Sequence, residues 1–186
     1  MMTEISLNVL DITENSVKAK ATLIKITVEA DTAKDRLTVT IDDNGCGMTP
    51  EQLSKVTDPF FTTRTTRKVG LGVPFFKQSA EMTGGTFDIR SEVGVGTVIS
   101  ASYVLSSIDR MPLGDMVSTM HQLIVMHQQC DFLYSYSYND RRFTLDTREF
   151  RETLGDVPFD VPEVSRFIKD FLKENTEEVN AGQMII

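Results

Sequence analysis

The sequence predicts an α+β domain, because segments with the periodicity of helices and segments with the alternation of strands follow one another. From Ile5 to Ala21, apolar and small residues recur about every 3.6 positions, which predicts an amphipathic helix. Apolar residues then alternate with polar ones over 24–28 and 37–41, which predicts two strands joined by a polar turn. A second alternating pair, 86–90 and 97–105, flanks a glycine turn.

Capping and turn residues predict the other elements of the first half. Thr49 followed by Pro50 is typical of an N-cap and the first position of a short helix. Pro74 and the pair Gly84-Gly85 are typical of the start and the end of another helix. Between these two helices, residues 58–68 are polar and basic with little periodicity, so we expect a loop.

Residues 106–186 carry a different pattern and are predicted to form a small C-terminal α/β extension, with the domain boundary at 105. Apolar residues from Met116 to Ile124 follow a helical stripe. The predicted order of the extension is this helix, a β-hairpin (132–138 and 142–146), a helix after Pro162 and a frayed tail over 174–186. Tyr134, Tyr136 and Tyr138 share one strand face, which we interpret as packed with a wet edge, a partner surface being the alternative.

Composition and charge exclude several classes of protein. Nineteen Lys and Arg against 27 Asp and Glu give a net charge of −8, so we expect no nucleic-acid partner and no association with an anionic membrane. The two cysteines lack CxxC spacing, which disfavours a disulfide framework or a structural zinc site. No basic n-region precedes the first apolar residues, and no stretch approaches the ~18–20 apolar residues of a membrane helix. We therefore expect a soluble cytoplasmic protein.

Four short motifs occur in a specific order, although each is weak alone. They are LDITENSVKA, DDNGCGM, DPFFTTR and VGLGV, and GVGT begins a late strand. In this order they resemble the N, G1, F and G2 boxes of the nucleotide-binding fold shared by gyrase, Hsp90, sensor histidine kinases and MutL, over residues 5–105. The nearest resemblance is to stand-alone histidine-kinase or anti-sigma-factor-type domains. It implies a two-layer α/β sandwich with a mixed, mostly antiparallel sheet and ATP held under a flexible lid.

The G1 box contains residue types suited to reading adenine. An ionised carboxylate at Asp43 only accepts hydrogen bonds, and the exocyclic amine of adenine offers donors. Gly45 and Gly47 allow the loop backbone to approach the ring. The alternative for this sequence is an ordinary loop turn. Thr97 resembles the late threonine that helps hold the adenine region, and a β-branched strand residue is its alternative.

The N box carries the residues that the resemblance assigns to the metal and the phosphates. Asn15 is implied as the Mg²⁺ ligand, since its amide oxygen suits a hard cation; a solvated helix face is the alternative. Asp11 occupies a position where the family often carries a Glu that orients or deprotonates the attacking group, and Asp is one methylene shorter. Lys18 matches a kinase-type residue that meets the phosphates, or else faces solvent.

The lid is predicted to bind the phosphates. Backbone N–H groups over Gly70, Leu71 and Gly72 are expected at the mouth of the following helix, where the helix dipole favours an anion. The basic residues Arg64, Arg67 and Lys68 precede them on an otherwise acidic chain, and a solvated loop is their alternative.

The resemblance implies a Mg-ATP-binding regulator in signal transduction. Only a few residues precede the N box, where a typical histidine kinase places its phosphoacceptor helices, so we expect transfer of the γ-phosphate to a partner protein in trans, and an acceptor in the C-terminal extension is the alternative. His121 and His127 lack the acidic residue and later proline that usually mark a phosphoacceptor, so we interpret them as edge-of-core histidines. A second copy of the chain is a further candidate partner.

Two other functions remain open. The first is a non-catalytic switch whose lid orders around ATP and changes the affinity for a partner, which the Asp at position 11 favours. A topoisomerase- or MutL-type motor ranks third, because the residues after 105 look too short for the second domain that it needs.

Overall fold

The computed structural model describes residues 3–58 and 72–183. Pairs of consecutive strands are separated by one or two helices along the described chain. The helices are α1 (Ile5–Lys18), α2 (Pro50–Lys55), α3 (Gly72–Met82), α4 (Met116–Met126), α5 (Thr147–Leu154) and α6 (Pro162–Asn180). The strands are β1 (Leu23–Asp31), β2 (Arg36–Asp43), β3 (Thr86–Glu92), β4 (Gly96–Val104), β5 (Asp131–Tyr138) and β6 (Arg141–Asp146).

The strands form one six-stranded sheet in the order β3-β4-β2-β1-β5-β6. β1 and β5 are parallel, and every other neighbouring pair is antiparallel. Buried and more exposed residues alternate along β1 and β2, and buried residues such as Ile26 and Ile41 stand opposite each other. One face of the sheet therefore carries the core against the helices. The prediction of an α+β fold with a mixed, mostly antiparallel sheet is confirmed.

Residues 106–183 continue the same sheet. β5 pairs with β1 from Leu23↔Asp131 to Ala30↔Tyr138, and one cluster of buried apolar side chains includes both Ile26 of β1 and Ile168 of α6. Tyr134, Tyr136 and Tyr138 face this core and are at most 8% exposed. The packed face predicted for the three tyrosines is therefore present. Two of the three tyrosine hydroxyls lie at the polar edge of this packed face. The Tyr136 hydroxyl donates to Asn180 (2.8 Å) and the Tyr138 hydroxyl donates to Gln183 (2.6 Å).

Two predicted elements end at other residues in the structure, and one helix was not predicted. The first helix ends at Lys18 rather than Ala21, because Lys20 adopts a left-handed conformation with φ of 63° and the chain turns into β1. The predicted frayed tail is wrong in its first half, because α6 continues to Asn180 with Val179 only 4% exposed. Helix α5 was missed; its N-cap is Asp146, whose carboxylate accepts from the Arg148 N–H. Within residues 3–58 and 72–183, no helix combines the length and apolarity needed to cross a membrane.

Candidate functional site

Asp43 ends β2 with its carboxylate inside the fold. The residue is 8% exposed, and each carboxylate oxygen has a donor: the Ser16 hydroxyl bonds Oδ2 at 2.6 Å and the Gly45 N–H bonds Oδ1 at 2.9 Å. An ionised carboxylate has about four acceptor positions, so these two bonds leave capacity for a donor from a ligand. The loop after β2 and helix α1 together fix the direction of the remaining lone pairs.

A row of polar side chains continues from Asp43 across the neighbouring strands. Thr97 of β4 is the register partner of Asp43, and Ser91 of β3 is the partner of Thr97, so the three side chains project on the same face. The hydroxyls of Ser91 and Thr97 lie 2.7 Å apart. Ser91 Oγ also accepts from the Met48 N–H at 2.8 Å and lies 3.0 Å from the Gly96 carbonyl. Sequence reasoning missed Ser91, whose one signal is its place just before the GVGT turn.

The glycines of the G1 loop pack against protein. Gly47 has φ of 68°, and a Cβ at this position would overlap the Glu92 carbonyl oxygen. The Cys46 carbonyl accepts from the Gly94 N–H at 2.9 Å, so the loop is joined to the β3–β4 turn. A Cβ on Gly45 would lie 2.9 Å from Asp43 Oδ1 and would crowd the hydrogen bond described above. Close approach of this loop to a ligand ring stays a prediction.

The predicted N-box residues share one side of α1. Asp11, Asn15 and Lys18 stand at i, i+4 and i+7; Asp11 is half-buried and the other two are exposed. Among the described residues, no hydrogen bond engages the side-chain amide of Asn15 or the ammonium of Lys18. Asp11 lies against the first residue of α3, since a Cβ on Gly72 would overlap its Oδ2. The structure thus brings Asp11 to the beginning of α3.

A helix start such as that of α3 generally favours an anion, because the first N–H groups of a helix lack partners within it and the helix dipole points there. The other predicted phosphate-binding residues precede it directly in sequence. Arg64, Lys68, Gly70 and Leu71, together with Arg67 and the part of the F box after Asp58, lie outside the described residues.

The side chains around α1 fit a magnesium ion held mainly by a substrate. Within residues 3–58 and 72–183, no three His, Cys, Asp or Glu side chains cluster as a metal site. Mg²⁺ typically takes only one or two protein oxygens and completes its octahedron with water and phosphate oxygens. The exposed and unengaged amide oxygen of Asn15 meets that requirement.

Both histidines are held by protein contacts. His121 Nε2 lies 2.8 Å from the Ser165 hydroxyl, and burial lowers the pKa of His121 below its ordinary value. His127 Nε2 lies 2.6 Å from Glu14 Oε1, and both side chains are partly buried. The interpretation of His121 and His127 as edge-of-core histidines agrees with these contacts.

Sequence comparison finds relatives among bacterial sensor kinases. The chain is 34% identical over 87 residues to the sensor histidine kinase ZraS of Salmonella typhi, a match that covers 46% of this chain and 18% of that protein. It is 36% identical over 105 residues to the sensor protein kinase FleS of Pseudomonas aeruginosa, covering 56% of this chain and 25% of that protein. The chain therefore spans a quarter or less of the length of these curated relatives.

Comparison with solved structures finds the same fold in a larger protein. The Aquifex aeolicus MutL ATPase domain, solved as a complex with ADP, aligns with 97% of this chain at a TM-score of 0.56 and 17% identity, covering 70% of that chain. Residues 3–106 match the family described as "Histidine kinase-, DNA gyrase B-, and HSP90-like ATPase". The chain belongs to this ATPase family and carries its ATP-binding domain.

Proposed function

We propose that the row formed by Asp43, Thr97 and Ser91 receives the adenine ring of ATP. The observation that carries this proposal is the orientation of Asp43: the residue is 8% exposed, and its carboxylate keeps acceptor capacity while Ser16 and Gly45 each donate to one of its oxygens. An ionised carboxylate has about four acceptor positions, so two are left for a ligand, and the amine of adenine supplies a matching donor. Thr97 adds a hydroxyl beside it on the next strand.

The phosphates then extend along α1 towards the beginning of α3. Asn15 supplies an oxygen to Mg²⁺, and Lys18 supplies a positive charge on the same side of the helix. When bound, the ion would neutralise negative charge that develops on the phosphate oxygens during transfer. Arg64, Lys68 and the backbone from Gly70 to Gly72 are the proposed phosphate contacts of the lid.

Transfer of the γ-phosphoryl group to a partner protein in trans is the activity we favour. The bond between the γ-phosphorus and the β,γ-bridging oxygen breaks, a bond to the nucleophile of the acceptor forms, and ADP leaves. Asp11, beside Gly72, takes the proton of the acceptor. The sensor-kinase relatives support a kinase. His121 and His127 are engaged by Ser165 and Glu14, which supports an acceptor outside this chain.

A non-catalytic switch is the second candidate, and Asp11 is the observation that favours it. The shorter side chain packs against the start of α3, so its reach towards an attacking group is smaller than that of a Glu. In a switch, ATP would order the lid and change the affinity for a partner protein.

Incubation with γ-labelled ATP and Mg²⁺ separates the two candidates. The chain alone should acquire no acid-labile, alkali-stable label, and a partner that co-purifies with it should be labelled by the parent but not by Asp11→Asn. Equal, slow loss of ATP with the parent and with Asp11→Asn, and no labelled partner, would favour the switch. Label on the chain itself that disappears in His121→Ala or His127→Ala would contradict transfer in trans.

A further inference from the structure

Residues beyond the family match hold both ends of α1. The N-cap residue Glu4 makes no side-chain capping bond. Instead, the first N–H groups of the helix, on Ile5 and Ser6, donate to the carbonyls of Pro112 (3.0 Å) and Leu113 (2.9 Å). These carbonyls satisfy donors that a helix start otherwise leaves to side chains or water. The segment after residue 106 therefore fixes where α1 begins.

The second contact lies near the other end of α1. His127 caps the C-terminus of α4, where its N–H donates to the Leu123 carbonyl at 3.0 Å, and its ring lies 2.6 Å from the Glu14 carboxylate. The side chains of His127 and Glu14 are 15% and 29% exposed. A pair this shielded and this short is held more firmly than an exposed ion pair.

Glu14 lies beside the proposed magnesium ligand on α1. It directly precedes Asn15 and stands one turn after Asp11, so all three project within one side of the helix. The α3 helix contacts α1 through Asp11 and Gly72, whereas α4 contacts it through Glu14. The two contacts together resist rotation of α1 about its axis, because such a rotation would stretch one of them. The direction of Asn15 depends on that rotation.

We propose that His127 is a positioning residue of the nucleotide site, which through Glu14 orients Asn15 towards magnesium-bound ATP. This inference rests on the proposed function. Mg²⁺ demands near-octahedral geometry and short oxygen contacts, so a small displacement of Asn15 weakens metal-dependent binding more than binding of the nucleotide alone. Residues 107–183 then contribute to the ATP site although the family match ends at 106.

Calorimetric titration of the full chain with ATP, with and without Mg²⁺, tests the proposal. His127→Ala and Glu14→Ala should each lower Mg-ATP affinity by about tenfold, the equivalent of one lost charge-assisted hydrogen bond, with a much smaller change when the metal is chelated. His121→Ala is the matched control, because it removes a contact between α4 and α6. It should leave the gain in ATP affinity on adding Mg²⁺ unchanged. Glu14→Gln keeps an acceptor oxygen for His127 and should restore most of the gain.

A double-substitution cycle separates positioning from a general loss of stability. His127→Ala combined with Asn15→Ala should cost little more than Asn15→Ala alone, because both act through the same ligand. If His127→Ala does not fold, the gain in ATP affinity on adding Mg²⁺ is compared between Glu14→Gln and Glu14→Ala instead. A larger gain in Glu14→Gln supports the proposal. An unchanged metal-dependent gain in Glu14→Ala or His127→Ala would overturn the inference while leaving ATP binding intact. A parent chain that binds no ATP would remove the proposed function and this inference with it.

Discussion

The Ser16 hydroxyl donates a 2.6 Å hydrogen bond to Asp43 Oδ2, and this bond joins α1 to the end of β2 inside the core. Ser16 directly follows Asn15 in sequence. The carboxylate that we assign to adenine and the amide that we assign to magnesium are thus held by neighbouring residues of one helical turn. The adenine end and the magnesium end of the proposed site are therefore joined through one turn of α1.

Ser16→Ala should destabilise the fold by about 1–3 kcal/mol, because it removes a donor from a carboxylate that stays buried. The matched control is Ser6→Ala on the same helix, where the buried hydroxyl has no hydrogen-bond partner among residues 3–58 and 72–183, so its loss should be neutral or stabilising. Denaturant unfolding of the two variants and the parent measures the difference. Equal stability of the two variants would mean that the Ser16–Asp43 bond contributes nothing.

Ser91→Ala should weaken ATP binding by about three- to tenfold, since Thr97 and the Met48 N–H both lose their hydrogen-bond partner. Ser102→Ala is the control: Ser102 bonds Thr86 at 2.8 Å across the same two strands, at the end remote from Asp43. Fluorescence or calorimetric titration with ATP provides the comparison. A loss of the same size in both variants would indicate that general strand pairing, not the position of Thr97, is responsible.

Asn15→Ala should weaken Mg-ATP binding much more than binding of ATP with the metal chelated, because the exposed amide takes part in no hydrogen bond within the described chain that its loss would disturb. Parallel titrations with Mg²⁺ and with a chelator give the two affinities. A uniform loss in both titrations would argue that Asn15 contacts the nucleotide itself.

Stability should fall as the pH drops below about 6.5, in part through His121. Burial lowers the pKa of His121 in the folded state, so the unfolded chain binds the proton first as the pH falls and folding is progressively disfavoured. Lys169 of α6 acts in the same direction by repelling the charged imidazole. The stability advantage of the parent over His121→Gln should shrink between pH 7.5 and 5.5 in denaturant titrations. A stability advantage of the parent over His121→Gln that grows as the pH is lowered would contradict a lowered pKa of His121 in the folded state.

Local signals predicted the local elements well. Thr49 is the N-cap expected before Pro50, where it also forms a capping box with Gln52, and the alternating stretches of the first half are β1 to β4. Non-local pairing left no local signal: nothing near Leu23 indicates that β5 will join it in parallel from 131 onwards. The short helix α5 was obscured because its eight residues follow a strand without an intervening loop.

The residues of the site also divide into those with a local sequence signal and those without one. Asp43, Thr97 and Asn15 could be named because they stand within short motifs, and the structure places Asp43 and Thr97 side by side. Ser91 and the Glu14–His127 contact required the fold, since they are defined by neighbours on other strands and helices. Residue pairs far apart in sequence become visible only when the sheet register and the helix docking are known.

The most direct measurement is calorimetric titration of ATP into the parent, Asp43→Asn and Asp42→Asn. Asp42 is the matched control, because it neighbours Asp43 but points to the opposite face of β2 and pairs with Lys25 at 3.0 Å. Asp43→Asn replaces one acceptor by a donor that faces another donor, so ATP affinity should fall by about ten- to a hundredfold, while Asp42→Asn should bind like the parent. Parental affinity in Asp43→Asn would contradict the assignment of this carboxylate to adenine.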